Sequence, residues 1–304
     1  MAVSIAVVIP VYNAAEYLDY VLESLMTQTV MADEIICVDD GSTDDSAAII
    51  ERIKERYPEG NLRLIRQTNS GTAAACNAGV EVVQSDYIII LGSDDILLPT
   101  RIEEDKRDLE NRPLDMVFGP SYTFAGDHRQ LHFLKKKHEM NLAHIDKDPV
   151  VNGLLKKLHI PTNAATLKTG VWRKLGGYDS SIAYSEDYDF WIRFFCTRPK
   201  IEYRHTPLSA YRFSADHQSK SKHLDKKILS RIQIAEKFFN NSACREYHHL
   251  KPQTLTVMYE TLAHDHWAAG NMSAYRRFAA LAFDQGLGGV QAKTILRYLK
   301  SFFK

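Results

Sequence analysis

The sequence lacks both long apolar runs and an excess of charge of either sign. Although 45% of its 304 residues are hydrophobic, no stretch reaches the roughly 18–20 apolar residues that a membrane-spanning helix requires. Lysine plus arginine equals aspartate plus glutamate at 38 each, so no overall field attracts nucleic acid or an anionic surface. These absences argue against a helical membrane protein and against nucleic acid as a partner.

Cysteine is also scarce, because Cys37, Cys76, Cys196 and Cys244 are the four cysteines of the chain. No C-x-x-C pair offers a zinc or redox site, and their apolar neighbours favour buried, inert thiols. We therefore expect a protein of the reducing cytoplasm. The N-terminal stretch "MAVSIAVVIPVYN" has no charged n-region and no small-residue cleavage site, so it is typical of a strand and not of a signal peptide.

Apolar runs alternate with helix-period segments over the first hundred residues. "SIAVVIPV", "EIICVD", "LRLIR" and "YIIIL" are predicted strands. Asn13 and Ser42 are candidate N-caps of the first two helices, and an alanine-rich helix is expected from about Thr72. Strand and helix alternating with short connections predict a doubly wound, mainly parallel α/β sheet with helices on both faces.

The pattern changes after Pro113, where "DMVFG" and "YTF" are short predicted strands. We expect a polar loop region over 126–160, with a helix near 150–158. From residue 225 the chain is predicted to be mostly helical. Its last ten residues, "ILRYLKSFFK", form a basic amphipathic tail, for which packing on the main body is preferred and membrane-surface contact is the alternative.

The predicted domains follow from these changes of pattern. One domain covers residues 1–222, and residues 223–304 form a helical appendage. Within the first domain, residues 1–112 and residues 113–222 are expected to form two halves.

Polar residues follow each of the four strands and should meet at the carboxyl edge of the sheet, where ligands bind in open α/β folds. Asp94 and Asp95 are adjacent carboxylates directly after the fourth strand. They repel each other unless a cation lies beside them, and hard oxygen ligands suit Mg²⁺ or Mn²⁺ together with substrate phosphates. The alternative is a solvated loop that caps the next helix.

Three further places carry candidate chemistry. Asp40 is placed to accept a hydrogen bond from a base or a ribose hydroxyl, with helix capping as the alternative. Glu186 and Asp187 offer a general base, with N-terminal capping of a helix as the alternative. His217, in the loop after "YRFSAD", is a weaker metal candidate.

Five ordered motifs give the chain a family resemblance. "VVIPVYNAAEYL", "VDDGSTDDS", "QTNSGTAAACNAGV", "SDDILLP" and "GGYDSSIAYSEDYDFWIRFF" resemble those of a family 2 glycosyltransferase with the GT-A fold. The resemblance runs from about residue 3 to about residue 215, and the helical tail lies outside it.

The resemblance implies a role for each matching residue. It implies nucleotide contacts from Pro10, Tyr12, Asp40, Asn69, Gly71, Asn77 and Ser93. It implies a Mn²⁺ or Mg²⁺ site at Asp94 and Asp95, whereas His217 is a metal candidate from its loop position alone. It also implies that residues 1–112 are the nucleotide-binding half of the first domain and residues 113–222 the acceptor half. It implies that Asp187, beside Glu186, is the general base that deprotonates the acceptor hydroxyl.

Two departures from the family pattern stand out. Gly92 replaces the first aspartate of the usual L-D-x-D-D, which removes a ribose or metal-shell contact. Cys76 replaces a frequent arginine before Asn77, so Arg66 or another cation would have to grip the nucleotide instead. The Q-x-x-R-W motif of processive synthases is absent, which favours transfer of a single sugar.

The expected activity is inverting, metal-dependent transfer of one sugar, preferably from a UDP-sugar, to a carbohydrate or glycolipid hydroxyl in polysaccharide biosynthesis. The protein would act in the cytoplasm, with peripheral contact at the inner membrane face as an option. The main alternative is a homologue that binds nucleotide sugar without catalysis. No glycine- and arginine-rich phosphate loop follows the first predicted strand, which argues against a nucleotidyl transferase. No G-x-G-x-x-G follows it either, which argues against a dehydrogenase.

Overall fold

A computed structural model of the chain describes residues 2–110, 112–124, 133–134, 160–182, 184–212 and 224–303. The predicted helix near 150–158 and His217 lie outside these residues. The chain divides into two compact units. The first holds most of the chain up to residue 181 together with 193–217, and the second holds 182–192 and the helices from residue 224 onward. The predicted boundary at residue 222 stays a prediction.

The first unit contains every strand that the structure describes. In chain order the strands are β1 (Ile5–Val11), β2 (Glu34–Asp39), β3 (Leu62–Arg66), β4 (Tyr87–Ile90), β5 (Ile96–Leu97), β6 (Met116–Phe118), β7 (Tyr122–Phe124), β8 (Phe133–Leu134), β9 (Ala165–Lys168), β10 (Ile201–Tyr203) and β11 (Ser209–Arg212). The α-helices among the described residues are α1 (Ala15–Met26), α2 (Ser46–Arg56), α3 (Thr72–Glu81), α4 (Arg101–Glu110), α5 (Thr169–Leu175), α6 (Glu186–Cys196), α7 (Leu224–Phe239), α8 (Lys251–Ala268), α9 (Met272–Asp284) and α10 (Ala292–Lys300).

A seven-stranded sheet in the order β10-β6-β9-β4-β1-β2-β3 forms the centre of the first unit. Strands β4, β1, β2 and β3 are parallel neighbours, as the alternating pattern predicts. Residues 5–9 of β1 are fully buried, because helices cover both faces of such a sheet and leave no polar alternation. All four predicted strands and the predicted parallel order are confirmed.

Two features of the sheets were not predicted. Strand β9 runs antiparallel between β4 and β6, and a second sheet has the order β5-β11-β7-β8. The strands of the second sheet are two to four residues long. Such short segments show no measurable period, so the sequence predicted only β7, as "YTF", and pairing in space defines the other three strands.

The two predicted N-caps are wrong. Helix α1 begins at Ala15 with Ala14 as its N-cap, and α2 begins at Ser46 with Asp45 as its N-cap. Asn13 has a φ of +47°, and its Oδ1 accepts a hydrogen bond from the Thr43 N–H at 2.8 Å. The Asn13 N–H donates to Ser42 Oγ at 3.0 Å. Both residues therefore join the ends of β1 and β2, and this tertiary pairing replaces local capping.

Helix α3 starts at Thr72, as predicted, and lies very close to the sheet. A Cβ built on Gly79 would stand 2.4 Å from Val8 Cγ1 and 3.0 Å from Val38 Cγ2. Only a glycine fits there, because real Cβ atoms do not approach carbon atoms so closely. The close approach seats the C-terminal half of α3 against β1 and β2.

The second unit is helical, as predicted for the region after residue 225. Its core includes the buried side chains of Leu255, Leu262, Tyr275 and Phe278 on α8 and α9. Among the residues that the structure describes, no helix combines the length and apolarity needed to cross a membrane.

Candidate functional site

Polar residues gather where β1, β2, β3 and β4 end. We call them the strand-end cluster: Tyr12, Asp39, Asp40, residues 67–71 and residues 92–95. The strands are adjacent and parallel, so their carboxyl ends meet at one edge of the sheet, as the sequence predicts.

Asp40 organises the loop that follows β3. One carboxylate oxygen accepts hydrogen bonds from Gln67 Nε2 and the Ser70 N–H, both at 2.8 Å, and the other accepts from the Gly71 N–H at 2.8 Å. The residue is 3% exposed. Gly71 has a φ of +87°, a conformation that favours glycine. The carboxylate therefore fixes the loop at the start of α3, and its use of three donors leaves little capacity for a direct base contact.

Asp39, the last residue of β2, is also buried. Its Oδ1 accepts from the Ser42 N–H at 2.9 Å, and its Oδ2 lies 3.3 Å from Nε of Arg66. The Arg66 side chain is 67% exposed. The cation that the sequence offered as a substitute for an arginine at Cys76 therefore lies at the same edge of the sheet, paired with Asp39.

The end of β1 supplies the exposed aromatic side chain of the cluster. Pro10 is half-buried and pairs in register with Val38 of β2. Tyr12 is 51% exposed, although large aromatic side chains usually bury most of their surface. An exposed ring at the same edge of the sheet as the loop of Asn69 and Gly71 is a surface on which a planar base can stack.

Asp94 and Asp95 turn back toward Gly92. A Cβ built on Gly92 would lie 3.0 Å from Asp95 Oδ2 and 3.2 Å from Asp94 Oδ1, so the two carboxylates converge on one point. Ser93, between them and Gly92, is half-buried. The glycine that departs from the family pattern is thus the residue that leaves space for both carboxylates.

The two carboxylates differ in their surroundings. Asp95 is 4% exposed, and its oxygens accept from Asn163 Nδ2 and from the Arg212 N–H, each at 3.0 Å. Asp94 is half-buried. Asp95 is therefore a framework residue, whereas Asp94 is the more accessible carboxylate of the pair.

Arg212, at the end of β11, is a site residue that the sequence analysis missed. Its Nε donates to the Asp94 carbonyl at 3.2 Å, and its guanidinium carbon lies 4.6 Å from the ring centroids of both Tyr17 and Phe124. The residue is 6% exposed. A guanidinium between two aromatic faces is held in place by cation–π contacts. The residue places a fixed positive charge beside the Asp94–Asp95 pair, and only the pairing of β11 with β5 brings it there.

The hydrogen bond from Asn163 to Asp95 rests on a buried ionic network. Arg101 Nη1 donates to the Asn163 carbonyl at 3.0 Å, and Arg101 Nε donates to Asp105 Oδ2 at 2.6 Å. Arg204 Nη1 donates to the other oxygen of Asp105 at 2.6 Å. Buried ion pairs of this kind fix geometry more than they add stability.

The residues present fit a small divalent cation. Such a cation is held in proteins by one or two carboxylates, with water and substrate phosphates completing its shell. Asp94 and Asp95 provide two converging carboxylates of this kind. Among the described residues, no group of three or more histidines, cysteines or carboxylates surrounds a common point, so substrate oxygens would have to supply the other ligands.

Asn77 and Cys76 both help to hold the fold together. The Asn77 amide donates to the Tyr178 carbonyl at 2.7 Å and accepts from the Tyr178 N–H at 2.9 Å, which ties α3 to the segment "GGYD". Cys76 is fully buried, so a charged arginine would not fit its position without rearrangement. The implied nucleotide contact of Asn77 stays a prediction.

Glu186 and Asp187 begin helix α6, as predicted, and belong to the second unit. Burial raises the pKa of Glu186, and the adjacent Asp187 carboxylate adds to the rise while Lys227 opposes it. Asp187 Oδ1 accepts from the Tyr188 N–H at 2.8 Å. The pKa of one carboxylate of the pair is thus raised, and the assignment of Asp187 as general base stays a prediction.

Solved structures share this fold. Staphylococcus aureus TarS, solved in complex with UDP-GlcNAc, aligns over 98% of this chain and 89% of its own with a TM-score of 0.67 and 16% identity. The mannosyltransferase PcManGT of Pyrobaculum calidifontis, solved with GDP-Man and Mn²⁺, aligns over 98% and 84% with a TM-score of 0.59 and 16% identity. The first unit therefore has the GT-A type of fold, as the sequence predicts.

Comparison of sequences then identifies the family. The profile of glycosyl transferase family 2 matches residues 6–218, and the chain belongs to this family. The glycosyltransferase GlyG of Streptococcus pneumoniae is 38% identical over 125 residues, which are 41% of each chain. An uncharacterised glycosyltransferase of Rickettsia prowazekii is 29% identical over 196 residues, which are 63% of this chain and 58% of its own. The chain thus spans less than two thirds of the length of these relatives.

Proposed function

We propose that the protein transfers one hexosyl group from a nucleotide diphosphate sugar, with UDP preferred, to an acceptor hydroxyl with inversion at the anomeric carbon. The observation that carries the proposal is the gathering of Asp40 with its loop, the Asp94–Asp95 pair and Arg212 at one edge of the sheet. This combination would provide a base-binding surface and a cationic, carboxylate-lined place for a diphosphate.

The donor would be bound by residues of two strand ends and their loops. Tyr12 would stack on the base, and the loop of Asn69 and Gly71, held by Asp40, would approach the ribose and diphosphate through its backbone. Structural neighbours support a nucleotide-sugar donor, because TarS was solved with UDP-GlcNAc and PcManGT with GDP-Man.

Asp94 and Asp95 would hold a Mn²⁺ or Mg²⁺ ion together with the donor's phosphates. When bound, the ion supplies charge stabilisation to the leaving diphosphate. Arg212 keeps the Asp94 backbone and the Asp95 carboxylate in place through its Nε and its N–H, and its guanidinium adds positive potential to the same region.

Asp187 would accept the proton of the acceptor hydroxyl while the acceptor oxygen bonds to the anomeric carbon and the bond to the diphosphate breaks. A positioned base of this kind contributes roughly 10²- to 10⁴-fold in rate. The neighbouring Glu186 is the second candidate for this role, because burial raises its pKa and a carboxylate with a raised pKa is a stronger base.

The test is a transfer assay with a panel of UDP-, GDP- and dTDP-sugars, with and without Mn²⁺, combined with calorimetric titration of the nucleotides. Asp187→Asn should lower turnover by at least about 10²-fold and leave nucleotide affinity unchanged. Asp45→Asn, which changes an exposed carboxylate at the start of α2, is the matched control.

Two results would contradict the proposal. Near wild-type turnover by Asp187→Asn would remove Asp187 as the base. Tight UDP binding without turnover of any donor would favour the alternative, a homologue that binds nucleotide sugar without catalysis.

A further inference from the structure

Exposed apolar side chains concentrate at one place in the second unit. Ile295, Leu296, Leu299 and Phe302 are 36%, 54%, 57% and 58% exposed, and they lie within eight residues of the chain. We call these four residues the α10 apolar face. They are half of the eight large hydrophobic residues exposed in the described part of the chain, and such a concentration marks an interaction surface.

The four side chains share one side of the helix. Leu299 follows Leu296 by three residues and Ile295 by four, which are the spacings of neighbours on a helical surface. Phe302 follows in the 3₁₀ turn Ser301–Phe303, three residues after Leu299. The face is therefore continuous over the last two turns.

The opposite side of α10 is firmly attached to the second unit. Thr294 is fully buried, and its Oγ1 donates to Glu260 Oε1 at 2.5 Å. The Gln291 N–H donates to the same oxygen at 2.9 Å, and the Tyr275 hydroxyl donates to the Thr294 carbonyl at 2.8 Å. These bonds fix the rotation of α10 about its axis, so the α10 apolar face points toward solvent.

Positive charge lies beside this face. From Gln285 to Lys304 the sequence has four lysines or arginines and no aspartate or glutamate. Lys293 and Lys300 are exposed. At 100° per residue, Lys300 lies 40° from Leu296 around the helix axis, so the basic and apolar sides adjoin on the outward half.

We propose that the α10 apolar face binds the surface of a membrane that contains anionic phospholipid. The apolar side chains would enter the boundary between headgroups and acyl chains, and Lys293 and Lys300 would contact the phosphates, as in other interfacial helices. The proposal is independent of the transferase activity. It also agrees with the zero net charge of the chain, because the attraction is local.

A second copy of the chain fits this surface less well. A two-fold interface brings the same patch of both subunits together, so it would gather the lysines of both copies in one interface. Stable interfaces also bury about 800 Å² per partner, which is more than four partly exposed side chains on two helical turns provide.

The test measures binding of the full-length chain to phosphatidylcholine vesicles with and without phosphatidylglycerol by co-sedimentation. The wild type should bind only the phosphatidylglycerol vesicles. Leu296→Ser combined with Leu299→Ser should weaken this binding by at least about tenfold, since one tenfold step needs only 1.4 kcal/mol. Lys293→Gln combined with Lys300→Gln should weaken it too and reduce its dependence on salt.

Leu229→Ser is the matched control, because Leu229 is 45% exposed on α7, away from α10 in sequence. It should bind vesicles like the wild type, and circular dichroism should show unchanged helix content for all variants. The proposal is overturned if the wild type ignores anionic vesicles at low salt, or if the double serine variant binds equally well. It is also overturned if light scattering finds a dimer that the double serine variant abolishes, since a second copy then covers the face.

Discussion

Asp40 offers the sharpest test of how the site is built. Its carboxylate joins the end of β2 to the loop after β3 by accepting hydrogen bonds from Gln67, Ser70 and Gly71, each at 2.8 Å. Asp40→Ala removes this acceptor for three donors at once. We expect both a loss of stability and a loss of nucleotide affinity, because the loop would no longer be held in one conformation.

The size of the stability loss follows from the contacts. A hydrogen bond to a charged group contributes about 1.5–3 kcal/mol net. Three times this contribution is an upper limit for the loss of unfolding free energy. Ser70 and Gly71 are exposed, so water replaces part of what their N–H groups lose. We therefore expect Asp40→Ala to lower the free energy of unfolding by about 2–4 kcal/mol. Asp40→Asn keeps one acceptor oxygen and should lose about half as much.

Urea unfolding followed by circular dichroism measures the first quantity through the midpoint at constant slope, and calorimetric titration with UDP measures the second. UDP affinity should fall by about tenfold or more, equivalent to 1.4 kcal/mol. Asp45→Ala is the control, because Asp45 caps α2 without a side-chain hydrogen bond to that helix and is exposed.

Two outcomes would refute this reasoning in different ways. If Asp40→Ala unfolds within about 0.5 kcal/mol of the wild type, as surface substitutions usually do, the carboxylate does not hold the loop. If the variant is destabilised as expected but binds UDP normally, the loop is held by Asp40 but does not belong to the nucleotide site.

Three other predictions concern different parts of the molecule. Arg212→Ala should weaken Mn²⁺-dependent UDP binding by at least about tenfold in calorimetry, because the substitution removes the hydrogen bond to the Asp94 carbonyl. An equal loss of UDP affinity without Mn²⁺ would show that Arg212 acts on the nucleotide alone. Gly79→Ala should cost about 1–3 kcal/mol of unfolding free energy through overpacking against Val8, and an unchanged urea midpoint would disprove the close approach. Burial raises the pKa of Glu186 above its ordinary 4.5, so the contribution of Glu186 to stability is largest below that pH and falls as pH rises toward the folded pKa. The stability of Glu186→Gln relative to wild type should therefore increase between acidic and neutral pH. A stability difference that does not change with pH would contradict the raised pKa.

Much of the fold was predictable because its signal is local. The apolar run before Asn13 and the alternation of strand and helix over the first hundred residues are properties of the chain's own pattern, and a parallel sheet covered on both faces requires such continuous apolar runs. The gathering of Asp40 and Asp94 at one edge follows from the same topology.

The details of the loops were less predictable, because their partners are distant in sequence. Asn13 has the composition of an N-cap, yet its side chain binds the Thr43 N–H, 30 residues away. Asp95 resembles a metal ligand by its motif, yet its carboxylate also accepts from Asn163 and Arg212, 68 and 117 residues away. No local pattern records such pairings.

The sequence by itself determined the order of the elements, the parallel sheet and the set of acidic residues at its edge. Only the tertiary structure decided which of these carboxylates hold loops, that Gly92 leaves space for two of them, and that Arg212 lies beside them. The reason is that hydrophobic periodicity reports how each segment meets the core. Hydrogen bonds and charges between strand ends depend instead on which segments become neighbours, and that is settled only when the whole sheet has formed.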